Sequence, residues 1–180
     1  MLSPDSTVII LDTETTGFDP ERERVIELAA ARVEQGKVVA QLDTYLNIGM
    51  AVPAQITELT SITTSDLADA PTFVGFLPEL LELIGDAPIV AHNAPFDQAF
   101  VEAECARAGQ SEALAGHPWI DSLQYARIAF PEQASHSMAS LTAALGITNR
   151  HAHRAIGDVL ALAELWQVIL TRLAELPPAL

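Results

Sequence analysis

The stretch "VIILDTETTGFD", residues 8–19, runs four apolar residues straight into Asp12 and Glu14, two carboxylates one residue apart. On a strand, side chains two positions apart share a face. The two negative charges therefore point the same way and repel unless something cationic lies between them. Two more acids stand where burial is expected. Asp97 falls in the first turn of a helical stretch after the apolar "APIVA", and Asp158 interrupts the apolar run "AIGDVLALAELW". Each of these has a plain reading beside the chemical one: Asp97 can favour the positive end of its helix, and Asp158 can be a solvated position. The Asp12–Glu14 pair is harder to explain that way. Hard divalent ions such as Mg²⁺ and Mn²⁺ prefer carboxylate oxygens. Three or four acids drawn from separate elements suit a two-metal site, whose ions lie roughly 3.5–4 Å apart and clamp the attacking and leaving oxygens of a phosphodiester.

His153 precedes Asp158 in "HAHRAIGD". A neutral imidazole there can take a proton from an attacking water. Two other readings stand beside it. His151 and His153 can share a zinc ion as alternating ligands, or both can be surface residues near a helix start.

Elements must carry these residues to one place. Val8–Asp12 reads as a buried strand followed by the turn "TTGFD". "RVIELAAARVEQGKVVAQLDTYLNI" reads as a hairpin turning at "EQGK", its outer strand mixing polar and apolar residues as an edge would. "PAQITELTSIT" and "TSDLADA" suggest short helices, the second capped by Thr64 or Ser65. In "PTFVGFLPELLELIGD" the residues Phe73, Phe76, Leu77, Leu80, Leu81 and Ile84 fall on one helical face, although Gly75 and Pro78 interrupt it. "APIVAHN" is a short buried strand, and "APFDQAFVEAECARAG" a helix opened by Pro95 and stopped at Gly109. A brief strand and a helix starting near Asp121, a short helix closed by Gly146, and a long helix ending at Pro177 complete the chain. A hairpin followed by alternating strands and helices predicts a mixed α/β layer architecture.

The chain has 180 residues, 49% of them apolar and 18% charged, which fits one globular domain over residues 1–180 with a core at about 7–174. The single cysteine, Cys105, permits no intrachain disulfide, and neither a signal peptide nor a membrane-length apolar run is visible. A cytoplasmic protein with no membrane partner is expected. The net charge of −15 argues against loose coating of nucleic acid, yet not against an enzyme gripping a short polyanion through metal ions. Between Arg127 and Arg154 the balance reverses: Arg127, Arg150, Arg154 and histidines 136, 151 and 153 face only Glu132.

"LDTETTGFDP", "VAHNAPFDQAFV" and "HRAIGDV" resemble, in order and spacing, the three motifs of the DEDD exonuclease superfamily, in the DnaQ-like subgroup with a histidine in its third motif (DEDDh). The proofreading epsilon subunit of bacterial DNA polymerase III belongs to that group. The resemblance runs from about Val8 to Leu173, and "IELAAARVEQGKV", "VPAQITELTSIT" and "WIDSLQYAR" match the intervening pattern. It implies a ribonuclease H-like fold and 3′→5′ exonuclease chemistry with two divalent ions, Mg²⁺ or Mn²⁺, releasing nucleoside 5′-monophosphates. The four acids map onto Asp12, Glu14, Asp97 and Asp158, and the general base onto His153. By the same likeness Asp12, Glu14 and Asp158 ligate the metal nearer the nucleophile, Asp12 bridges to the second, and Asp97 acts mainly through water. Thr13, Thr15, Thr16 and Gly17 resemble residues that hold the terminal nucleotide, with Phe18 a further contact. Asn93 and Phe96 sit where the family shapes its nucleotide pocket. Leu59 and Ile62 correspond to a region near the terminal bases, where an apolar wedge would help unstack them; core packing is the alternative for both. Asp121, in "DSL", needs no role beyond a helix cap.

The chain departs from the pattern at "TSI", residues 60–62, where many relatives have His-Gly-Ile, so a histidine contact and a glycine turn are expected to be missing. It stops at "AELPPAL" without the extension by which epsilon subunits bind their polymerase, so a free-standing exonuclease is expected. Nucleic acid 3′ ends are the expected partner. "DTETTGF" and the single lysine, Lys37, favour DNA over RNA. An RNA-directed exonuclease, or an accessory module docked on a polymerase or repair protein, are the competing functions.

Overall fold

A computed structural model of the chain describes residues 2–149 and 154–176. Five strands form one sheet in the order β3-β2-β1-β4-β5. β1 (Val8–Thr15), β2 (Val25–Glu34) and β3 (Lys37–Tyr45) are an antiparallel meander; β4 (Ile89–Ala91) runs parallel to β1, and β5 (Trp119–Asp121) parallel to β4. The β2–β3 turn uses Gln35 and Gly36 at φ 50° and 75°. Two consecutive positive φ values match the right-handed twist of the flanking strands, which is why "EQGK" makes a tight hairpin. β3 forms the sheet edge and is largely exposed.

Alternation along β1 divides the core. Val8 and Ile10, with Ala29, Ala31 and Val33 of β2, face α5 (Ser122–Ala129), α6 (Met138–Leu145) and the long α7 (Ala155–Glu175). Ile9 and Leu11, with Leu28 and Ala30, face α3 (Phe73–Ile84) and α4 (Ala94–Arg107). The sheet is thus sandwiched between two helical layers, as the mixed pattern predicted. A small third cluster of Ile26, Ile48, Val52, Ile56, Ile62 and Leu67 packs around α1 (Ala54–Thr60) and α2 (Thr64–Leu67). None of the described helices is long and apolar enough to cross a membrane.

Three local expectations are corrected. β1 does not end at Asp12 but continues through Glu14 to Thr15, because β2 pairs with it along that whole length. The cap of α2 is Thr63 rather than Thr64 or Ser65: its hydroxyl accepts from the Asp66 N–H while the Asp66 carboxylate accepts from the Thr63 N–H. The glycine turn thought missing at "TSI" is present in shape, since Ser61 closes α1 at φ 64°, a left-handed conformation that glycine adopts at lower cost. The α3 helix runs through Gly75 and Pro78, with Phe73, Phe76, Leu77, Leu80 and Ile84 buried on the expected face. Pro177 lies outside the described residues.

Candidate active site

Asp12 and Glu14 continue the Val8–Ile10 face of β1 and so point toward the α7 layer. Asp158 sits in the first turn of α7. The two elements converge there: one carboxylate oxygen from each of Asp12, Glu14 and Asp158 lies within 4.8 Å of the other two. All three residues are half-buried, so the cluster opens to solvent while its floor is protein. Asn149 donates to Asp158 Oδ1 at 2.7 Å. The β1–β2 register slips between Glu14 and Thr15, so the strand bends immediately after the second acid.

Asp97 arrives from the other layer. Along β1 the N–H groups of odd-numbered residues face β4, as the Ile9 N–H bonded to the Pro88 carbonyl illustrates. β4 is only three residues long, so it leaves the Thr13 N–H without a strand partner. The Asp97 carboxylate takes that place: its Oδ1 accepts from the Thr13 N–H at 3.1 Å and the Thr13 hydroxyl at 2.7 Å. Asp97 is buried, and α4 starts where β4 stops. Asp121 fixes that start. Its Oδ1 accepts from the N–H groups of Asn93, Ala94 and Leu123, capping α4 and α5 together, while Asn93 takes φ 71°.

Burial, with neighbouring carboxylates, shows in the titration of three of these acids. Burial, then the charges of Asp97, Asp158, Glu14 and Glu27, holds the Asp12 carboxyl well above the usual carboxylate range. Burial, followed by Glu27, Asp158 and Asp97, pushes Glu14 up to about 7. Asp97 is pushed up to about 7 by burial, against the opposing hydrogen bonds from Thr13. An all-oxygen, partly open cluster of this kind fits a hard divalent cation, which would relieve the repulsion.

Other expected site residues fall around this cluster in different ways. Thr13 and Thr16 are buried, and the Thr16 hydroxyl donates to Glu23 Oε2 and accepts from the Arg24 N–H. The Thr15 hydroxyl donates to the Gly17 carbonyl. A Cβ on Gly17 would lie 2.9 Å from the Glu23 side chain, so the loop closes tightly there. Phe18 is 88% exposed, its ring edge-on to Phe96, which in turn packs on Phe100. Leu59 is 64% exposed, whereas Ile62, at 1%, belongs to the third core cluster. His151 and His153 lie outside the described residues.

One buried charge escaped the sequence reading. Glu27 stands directly opposite Glu14 in the β1–β2 register, fully buried, and accepts from Arg154 Nε at 2.6 Å and the Ala155 N–H at 3.2 Å. The signal was there: a lone acid inside the apolar run "VIELAAARV" is costly unless paired. A second such group, Glu104 of α4, accepts from Arg24 through both oxygens and from Arg107 and the Val25 N–H.

The exonuclease family (RNase T type) matches residues 9–166. The PolC-type DNA polymerase III of Bacillus subtilis (strain 168) is 36% identical over 174 residues, covering 97% of this chain and 12% of that protein. That of Clostridium perfringens (strain 13 / Type A) is 31% identical over 171 residues, covering 95% and 12%. The chain therefore spans only a small part of these relatives. Among solved structures, Escherichia coli exonuclease I in complex with a dT13 oligonucleotide superposes with TM-score 0.81 at 22% identity, over 94% of this chain and 42% of that one. Exonuclease X in complex with 5′ overhanging duplex DNA superposes with TM-score 0.73 at 24% identity, over 91% of each chain. These neighbours share the ribonuclease H-like fold of the mixed five-stranded sheet. By its matched length and its kinship with the PolC-type sequences, the chain belongs to the DnaQ-like exonuclease family.

Proposed function

We propose that this chain is a cytoplasmic, single-domain, metal-dependent 3′→5′ exonuclease that acts on single-stranded or frayed DNA ends and releases nucleoside 5′-monophosphates. The observation that carries the reading is the convergence of Asp12, Glu14 and Asp158 oxygens within 4.8 Å, on elements remote in sequence. With Asp97 they would hold two divalent ions, Mg²⁺ or Mn²⁺. Such ions, when bound, supply Lewis-acid stabilisation to the charge that develops on a phosphodiester.

The chain's own groups do the rest. Asp97, with one oxygen committed to Thr13, takes an outer part and acts through water. His153, bonded in sequence to the anchored Arg154, accepts the proton of the attacking water. Thr13 and Thr16 hold the loop in shape through their buried hydroxyls. Thr15, Gly17 and Asn93 line the approach for the terminal nucleotide, and Phe18 and Phe96 offer aromatic faces on which a base can stack. Leu59 is the exposed apolar group able to wedge between terminal bases, while Ile62 packs inside the third core cluster. The net charge of −15 suits an enzyme that engages ends and lets go.

A 5′-labelled single-stranded DNA and a matched RNA, incubated with the protein and Mn²⁺, test the reading. The expected result is a ladder shortening from the 3′ end, faster on DNA, with nucleoside 5′-monophosphates as the product. Asp12→Ala should abolish the ladder while its circular dichroism and melting temperature show an intact fold. Degradation by Asp12→Ala at the wild-type rate contradicts the assignment; binding without cleavage by the wild type indicates an accessory module, and faster RNA loss an RNA-directed enzyme.

Kinship with PolC-type polymerases favours a second, compatible setting, in which the chain removes misincorporated nucleotides during replication. Faster hydrolysis of a mismatched than of a matched 3′ terminus supports it.

A further inference from the structure

The α7 helix carries Asp158 in its first turn, and Arg154, at its cap position, makes no side-chain cap bond to the helix. The first N–H of the helix, that of Ala155, is taken by Glu27 near the start of β2. The same carboxylate accepts from Arg154 Nε at 2.6 Å through its other oxygen. Arg154 is held further by Asp43 Oδ2 at 3.4 Å and lies 4.8 Å from the centre of the Tyr45 ring, both on β3. Its own carbonyl accepts from the N–H groups of Gly157 and Asp158. A serine or aspartate at position 154 would cap the helix equally well. A cap delivered from the strand opposite Glu14 does something a local cap cannot. It fixes the start of α7 relative to the β1 acids.

We propose that Glu27 is a positioning residue of the phosphodiester-hydrolysing site, setting Asp158 against Asp12 and Glu14 by clamping the start of α7. Each Glu27 oxygen accepts a bond of the clamp, and Glu27 is not among the residues whose oxygens gather within 4.8 Å, so it acts through Arg154 and Ala155 and not as a ligand. The inference rests on the exonuclease reading for its kinetic consequence, but not for its effect on ion binding.

Two substitutions separate position from charge. Glu27→Gln keeps the shape, but its amide must present NH₂ to one of two donors. Glu27→Asp keeps the charge on a side chain one methylene shorter. Both should lower kcat by about 10–100-fold, as loss of groups that orient metal ligands does, with KM for the oligonucleotide within about two-fold. Titration calorimetry with Mn²⁺ alone should show affinity weakened about ten-fold or more in both. Wild-type kcat and Mn²⁺ affinity in both variants, whatever their melting temperatures, would make Glu27 a helix cap only and overturn the proposal. So would full activity in Glu27→Asp beside loss in Glu27→Gln, since charge alone would then suffice. If either variant fails to fold, Arg154→Lys, which retains the charge but not the two-pronged geometry, carries the same expectations. Should the wild type prove inactive on every oligonucleotide, the exonuclease reading fails, while the Mn²⁺ titrations still decide the clamp.

Discussion

At the scale of single residues, the candidate site is a set of acids that repel one another when no cation is present. Glu14 and Asp97 hold their protons up to about pH 7 in the folded chain, whereas ordinary carboxyls release them near about 4. The unfolded chain thus ionises first, and between about pH 4 and 7 it binds fewer protons than the folded one. By linkage these two groups cost folding stability progressively over that window, and the cost is complete above it. A divalent ion binds the ionised form, so its stabilising effect must grow across the same window. At 100 times its dissociation constant an ion adds about 2.7 kcal/mol, which corresponds to roughly 5–10 °C in melting temperature for a chain of this size. The expected result is a shift of that order from Mn²⁺ at pH 8 and a much smaller one at pH 5; equal shifts at both would remove the acids as the binding site. Proton transfer gives a separate check. With His153 as base, the hydrolysis rate should fall as pH drops through about 6.5, and His153→Ala should lose about 10²–10⁴-fold. A flat profile with a fully active His153→Ala variant excludes that role.

Residue types at this scale were unevenly legible. Asp12 and Glu14 announced themselves, because alternation on a strand leaves them no way to avoid each other. Asp97 and Asp158 each had an ordinary reading, and only the folded arrangement brings Asp158 to the pair and Asp97 against Thr13. Glu27 was passed over because its partner, Arg154, lies 127 residues away, and no local pattern records such a pairing.

At the scale of elements, each helix that brings an acid is tied to the sheet by a buried glutamate: α7 by Glu27 to Arg154, and α4 by Glu104 to Arg24 and the Val25 N–H at the start of β2. Removing one member of such a pair strands a buried charge, which is far costlier than losing a surface ion pair. The surface turn around α1 behaves differently, and Leu59 and Ile62 separate there. Ile62→Ala should cost about 2–5 kcal/mol, as buried truncations do, measured by urea unfolding. Leu59→Ala should leave stability within about 0.5 kcal/mol and weaken hydrolysis of paired 3′ ends more than of single strands. An equal loss on both substrates would rule out a wedge. Elements were read well where local chemistry decides them: the hairpin turn, the Pro95 start and Gly109 stop of α4, and the apolar face of α3. They were misread where pairing decides. β1 outlasts its apolar run because β2 accompanies it, and Ser61 adopts a turn that the sequence had seemed to lose with its glycine.

At the scale of the molecule, two apolar layers close over both faces of the sheet, and the acids gather where strands β1 and β4 end at different lengths. The short β4 leaves a notch beside β1, and Asp97 fills it from one layer while Asp158 approaches from the other. A chain carrying a net charge of −15 has little general attraction for a polyanion, so affinity for nucleic acid should depend on divalent ions at that notch. The most direct test is anomalous diffraction from a crystal soaked in Mn²⁺ together with a nucleoside 5′-monophosphate. The expected map has manganese peaks among the carboxylates of Asp12, Glu14 and Asp158, with the phosphate of the nucleotide beside them. Manganese bound only elsewhere, with those three carboxylates bare while the dissolved protein still shortens DNA, would contradict it.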